Sequence, residues 1–437
     1  MVHDGFVQGK GGGDRYRVVS LFSGAGGLDV GLDRTGRFEL LSAVELEPTF
    51  CRTLEINRDA GHFGHAGTAV VCADLSTLDP FEFMDELGLE QGDLDVLVGG
   101  PPCQSWSTAG KRGTVGDPRG QLIWHFLRFV DALKPKMFLM ENVRGLLSGA
   151  LVHRPIKDRP NKGGPELRPE ELPGSAIAAW AEDLHKIDNG AYRVDVFEVN
   201  AVNYGAPQLR ERVLFIGNRL NKVIDFPSPT HGFDPGLAPH KTMGEALDGF
   251  VDTEPVLMDF SPRKKQFLSL VPPGGNWRSL PDDVARASMG AAYFAKGGRS
   301  GWWRRLSWDL PSPTITTLPN HSSTSMCHPT ETRVLSVAEC ARIQEFPDGW
   351  VFDGTPQQQM AQVGNAVPVK LGEVAGELIA EHLDRPALGR NRSEAREVMR
   401  RVYVNSHVRT RSWWKNGQAV IFDAAAGVGR YREPERA

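Results

Sequence analysis

Cysteine is scarce and scattered. The 437 residues hold five, Cys51, Cys72, Cys103, Cys327 and Cys340, and no two of them form a CxxC pair. Such spacing argues against a zinc-ligand cluster or a disulfide framework, so the expectation is cytosolic thiols and no metal. There is no run of about 18 apolar residues, so no membrane span is expected. The opening stretch, MVHDGFVQGKGGGDRYR, has no apolar signal-peptide core, and 1–15 reads as a flexible tail. An excess of one charge is missing too: 50 Lys and Arg stand against 54 Asp and Glu, a net −4. A nucleic-acid surface, if there is one, must therefore be local. No internal repeat is evident. What remains is ordinary globular composition, 40% hydrophobic and 24% charged, in a chain long enough for a large domain and a smaller one.

The first half alternates strand and helix. Apolar runs at 15–22, 38–45, 68–75, 93–100 and 135–143 read as strands, and 48–57 and 121–134 as helices, with another beginning at Leu28. The alternation predicts an α/β fold, a doubly wound, mostly parallel sheet whose ligands bind at the C-terminal strand ends. Segments 192–205 and 212–220 read as a closing antiparallel pair. The stretch 151–175 is rich in Pro, Gly and charge and reads as an exposed insertion. From about 220 to 305 the pattern loses regularity, as expected for a second, smaller domain built of loops. Helices follow at 336–347 and 365–383, the latter read as starting just after Gly364. Residues 385–437 carry twelve Arg and Lys against five Asp and Glu, a local basic excess suited to non-specific DNA affinity or a partner contact.

Chemistry-bearing residues fall at the predicted strand ends. After strand one, SGAGGLDVGL offers a glycine turn that lets a nucleotide-like cofactor approach a helix N-terminus, although a turn with no ligand reads the same way. Glu45 after strand two suits ribose hydroxyls, and Asp74 after strand three suits an adenine amino group or a helix cap. Together they fit a dinucleotide or S-adenosyl-L-methionine. Strand four ends in GGPPCQSWS, where Pro101 and Pro102 stiffen the mount of Cys103 ahead of a polar loop. That suits an exposed nucleophile, with Arg210 and Arg212 as candidate cations to favour the thiolate. Strand five brings Glu141, a carboxyl beside apolar MFLM that could hold a proton.

The ordered set SLFSGAGGL, GGPPCQSWS, ENV (141–143), QLRERVLFIG, TRVLSVAECARIQEFPD and QVGNAVPVKL resembles the DNA (cytosine-5) methyltransferase family, prokaryotic type, over about 16–384. The resemblance implies a Rossmann-like class I methyltransferase fold with a target-recognition domain at 220–325. The catalytic domain would span 16–219 and return at 326–384. It implies S-adenosyl-L-methionine as cofactor, held by Phe22, Gly24, Gly26, Leu28, Glu45, Asp74, Pro101, Leu122, Asn365 and Val367. It assigns Cys103 to attack carbon 6 of cytosine, Glu141 to N3, Arg212 to O2, and Arg210 to the backbone or the cofactor side of the pocket. Gln104, Ser107, Lys111, Arg112 and Arg119 would meet DNA from the loop after Cys103, which closes over a flipped base. Arg299, Arg304 and Arg305, with Lys264 and Lys265, are candidate recognition residues, whereas Trp302 and Trp303 read as core. The expected partner is double-stranded DNA. The expected setting is a bacterial or archaeal cytoplasm, as a monomer, within a restriction–modification or anti-phage system. A transfer-RNA cytosine methyltransferase shares the motif set. A silent DNA-binding or cofactor-sensing scaffold is the rival of another class, and the intact Cys103, Glu141 and Arg212 count against it.

Overall fold

The structure is a computed structural model that describes residues 15–102, 121–295, 299–387, 399–403, 414–415 and 418–419. Its centre is an eight-stranded mixed sheet. In chain order the strands are β1 (Tyr16–Leu21), β2 (Phe38–Glu45), β3 (Ala69–Cys72), β4 (Val96–Gly99), β5 (Met137–Asn142), β6 (Arg193–Asn200), β7 (Glu211–Asn218) and β8 (Met399–Tyr403). They lie side by side as β3-β2-β1-β4-β5-β7-β6-β8, and only β7 runs antiparallel to its neighbours.

Helices cover both faces, which is why the central strands are apolar at every position rather than alternating. Val18, Val96, Val98 and Leu139 face one layer, with α1 (Gly27–Arg34), α2 (Pro48–Asp59) and α11 (Val369–Asp384). Val19, Leu97, Phe138 and Met140 face the other, with α3 (Pro80–Glu86), α4 (Leu122–Leu133) and α5 (Ser175–Lys186). Helix α11 crosses α1 at glycines. A Cβ on Gly372 would stand 2.6 Å from the Leu28 carbonyl oxygen, and one on Gly31 would stand 2.4 Å from that of Val369. The chain's last helix is thereby locked onto its first.

A third, smaller hydrophobic cluster gathers Phe260, Leu268, Val271, Leu280, Met289 and Trp303. It is threaded by α7 (Pro262–Leu268), α8 (Asp282–Met289) and long irregular stretches, while α6 (Met243–Ala246) and α9 (Val337–Ile343) pack in the first sheet layer. Trp303 is buried and Trp302 packs against the cluster, as expected.

Two expectations change. The helix expected over 365–383 starts later, as α11 after Pro368, and Asn365 is the last residue of a separate helix, α10 (Pro356–Asn365), that the sequence reading did not include. Proline restrains its predecessor away from helical geometry, so the apolar spacing continues across a break. Asn365 thus closes one helix instead of capping the next. The insertion 151–175 is mostly exposed, as expected, and is pinned at Arg154. Arg154 pairs with buried Glu171 at 2.5 Å and donates to the carbonyls of Pro165 and Glu166. Part of the basic extension joins the sheet as β8, where Arg400 meets the fully buried Asp195 at 2.6 Å.

Candidate functional site

A cavity of about 950 Å³ opens at the C-terminal ends of β1 to β5. The glycine turn shapes one wall. Gly26 takes φ 82° before α1, and a side chain there would press on Leu54 and Trp350, so it holds the turn's shape without lining the cavity. At Gly27 a Cβ would lie 2.3 Å from the Val367 carbonyl oxygen, so the returning segment 365–368 seats directly on the turn. Phe22, a non-glycine residue, is held at φ 54°, the kind of backbone strain that clusters at functional sites.

Glu45 ends β2 with its carboxylate anchored by three backbone N–H groups, from Gly24 (2.8 Å), Leu46 (2.8 Å) and Glu47 (3.2 Å). Burial still raises its pKa above the ordinary carboxylate value. Asp74 accepts from the Ser76 N–H at 2.8 Å, which lowers its pKa. Phe22, Gly24, Leu28, Glu45 and Asp74 all line the cavity, and so do Pro101, Leu122, Asn365 and Val367. Of the predicted cofactor residues only Gly26 stands outside the wall. The sequence reading missed Thr355, Gln357 and Gln358, which the start of α10 brings to the rim. Their signal was available: Thr355 and Gln358 form a reciprocal capping box, readable in TPQQ as a helix start.

At the far end stand Pro101, Pro102, Glu141 and Arg212. Strand β5 supplies Glu141 and its antiparallel neighbour β7 supplies Arg212, and the carboxylate and guanidinium are ion-paired with both side chains largely buried. Asn142 donates to the Pro101 carbonyl at 3.1 Å, tying β5 to the proline mount. Arg210 is placed differently. It is 1% exposed and donates to the carbonyls of Ile315 (3.1 Å), Gly364 (2.9 Å) and Asn365 (3.1 Å). It positions the returning segment and belongs outside the catalytic set. Cys103, Gln104, Ser107, Lys111, Arg112 and Arg119 lie outside the described residues. Pro102, just before that segment, and Leu122, two residues after it, both stand in the cavity wall.

Two expected recognition residues face inward. Arg305 donates to the carbonyls of Leu268, Val271, His328 and Glu331 and to the Thr332 hydroxyl. Arg304 donates to the Ser325 carbonyl at 3.2 Å, and burial drops its pKa to about 10. Both guanidiniums are buried and tied to loop carbonyls, Arg305 through all three of its nitrogens. Lys264 and Lys265 are engaged by the Asn320 carbonyl and by Asp259. Arg299 is half-buried and donates to the Tyr293 carbonyl. It lies 4.9 Å from the Trp277 ring, which Arg278 also meets at 4.5 Å. No metal-sized group of His, Cys, Asp and Glu occurs among the described residues, and no helix there is long and apolar enough to cross a membrane.

This sheet order with its single reversed strand, and a ligand cavity at the ends of β1 to β5, define a Rossmann-like class I methyltransferase fold. The chain belongs to the C-5 cytosine-specific DNA methylase family, whose sequence profile matches residues 16–158 and 171–381. It is 35% identical over 370 residues to the Type II methyltransferase M.Sau96I of Staphylococcus aureus, covering 85% of this chain and 77% of that one. It is 36% identical over 374 residues to the Type II methyltransferase M.Eco47II of Escherichia coli, covering 85% and 80%. Among solved structures, a prophage-encoded E. coli protein described as a DNA modification methyltransferase superposes with TM-score 0.56 at 24% identity. That match covers 85% of this chain and all of that one, a likeness of fold.

Proposed function

We propose that the cavity binds S-adenosyl-L-methionine and that the site methylates carbon 5 of a cytosine flipped out of a specific duplex DNA sequence. The wall suits that cofactor: a small-residue floor, an anchored acid at the end of β2, a second acid after β3, and behind the floor a buried carboxylate, Asp29, with no counter-ion among the described residues. When bound, the cofactor supplies an electrophilic methyl group on a positively charged sulfur.

The protein's own residues must make cytosine nucleophilic. Cys103 follows the Pro101–Pro102 mount and adds as thiolate to carbon 6, which turns the ring into an enamine with electron density at carbon 5. Glu141 hydrogen-bonds N3, where charge collects, and Arg212 holds O2 and the carboxylate together. After methylation the carbon-5 proton is lost and the Cys103–C6 bond breaks, releasing 5-methylcytosine and the thiolate. The observation that carries this reading is the Glu141–Arg212 pair sharing one cavity with the glycine turn and the proline mount. The relatives' Type II designation supports a role in marking DNA beside a restriction or defence partner.

The deciding experiment incubates purified protein with S-adenosyl-L-methionine and unmethylated genomic DNA, then maps 5-methylcytosine at base resolution. A sharp sequence motif is the expected result. No product on DNA with methylation of transfer RNA would overturn the DNA reading, and no product on either would favour a silent scaffold.

A further inference from the structure

Ser20 and Ser23 line the cavity with Gly27 and Leu28. Behind them sits Asp29, in the first turn of α1 and 2% exposed. Neither of its carboxylate oxygens has a hydrogen-bond partner of ordinary geometry among the described residues, so it does not act as a helix-capping acceptor. The Ser20 and Ser23 hydroxyls, 2.9 Å from each other, are the donors that favour its ionised form. No cation is ion-paired with it among the described residues. The charged groups around it are acids, Asp33 on its own helix and Glu45 from β2, and both disfavour ionisation. Helix α11, packed on α1, carries Lys370 and Glu373, which pair with each other at 2.8 Å. Burial and these acids push the Asp29 pKa up to about 7.

A buried acid without a counter-ion is costly in the empty protein, and a positive ligand removes that cost. We propose that Asp29 is the buried counter-charge for the positive sulfur of S-adenosyl-L-methionine, a positioning residue that favours this cofactor over its thioether product. The proposal rests on the cofactor reading of the cavity. The cofactor carries one more positive charge than S-adenosylhomocysteine. Its arrival ionises Asp29 and releases the proton to solvent, whereas the thioether gives no such drive. Cofactor affinity therefore rises with pH until Asp29 is already ionised in the empty protein, just above its pKa of about 7, and then levels off. The ratio of cofactor to product affinity rises with it, about tenfold for each unit by which the sulfonium lowers the Asp29 pKa.

The test is calorimetric titration of the full chain with each ligand, from about pH 5.5 to 8.5, in two buffers of different ionisation enthalpy to count protons. Glu45 is expected to meet the ribose that both ligands share, so its contribution drops out of the difference. The expected result is greater proton release with S-adenosyl-L-methionine below pH about 7, with a matching slope in affinity that S-adenosylhomocysteine lacks. In Asp29→Asn the difference in proton release vanishes, and cofactor affinity falls while product affinity stays within about twofold. Should that variant not fold, the wild-type comparison decides alone. Equal proton release and parallel affinity profiles overturn the proposal and leave the cofactor reading intact. Failure of both ligands to bind overturns both.

Discussion

At the scale of single residues, the site separates groups that touch the reaction from groups that hold those groups. Glu141→Gln keeps the shape of the wall but loses the carboxylate. Turnover should fall by about 10²-fold or more while cofactor affinity changes little, as read by single-turnover methylation beside calorimetry. Cys103→Ala should abolish transfer with cofactor binding retained, and residual transfer would sink the covalent route. Arg210→Met is expected to act otherwise. It strands two buried carbonyls and a part-buried one, so the loss should be about 3 kcal/mol of unfolding free energy, together with weaker cofactor binding through the displaced 364–367 segment. Asp29 also leaves a mark on the empty protein. Its folded pKa of about 7 lies above the ordinary 3.8, so the folded state binds more protons between those values and stability falls as pH rises through that window. Thermal melts of Asp29→Asn should lack that decline, so the variant gains on wild type from pH about 5 to about 8. The chemistry-bearing residues were largely legible, because glycines, prolines and acids at strand ends have few other reasons to cluster there. Arg304 and Arg305 were not. A guanidinium tied to carbonyls and one offered to DNA look alike in a sequence, and only their burial separates them.

At the scale of elements, what could be read depended on whether an element carries its own pattern. Strand β2 was legible residue for residue at 38–45, and α4 declared itself through an apolar stripe from Ile123 to Leu133. The break between α10 and α11 was hidden because apolar spacing runs on across Pro368. Helices α3 and α5 were missed, and α3 has only seven residues, too few to establish a period. Strand β8 could not be found at all, since its reason for being a strand lies on β6. Asp195 is fully buried, accepts from the Ile224 N–H at 2.9 Å, and meets Arg193 at 3.2 Å and Arg400 at 2.6 Å. Arg400→Ala should destabilise the protein by about 1–2 kcal/mol, less than for an orphaned buried charge because Arg193 and the Ile224 N–H still hold Asp195, and urea unfolding reads this directly. Any truncation meant to test the basic extension should begin after Tyr403. A cut at 386 strips the edge of the sheet as well as the charge.

At the scale of the whole molecule, the cavity and the proposed recognition residue Arg299 rest on different hydrophobic clusters. The two sheet layers support the cavity, and the small cluster around Trp303 carries the Arg278–Trp277–Arg299 group. Arg299→Ala is expected to spare cofactor affinity and to weaken duplex binding or relax the methylated motif. Binding measured across salt concentrations separates the two outcomes, since a lost phosphate contact lowers the salt slope by about one and a lost base contact does not. The seating of Val367 on Gly27 has one more consequence. One wall of the cavity comes from the first tenth of the chain and the lid of that wall from the last fifth. A polypeptide still being synthesised, or one cut short before α11, has no finished place for a methyl donor.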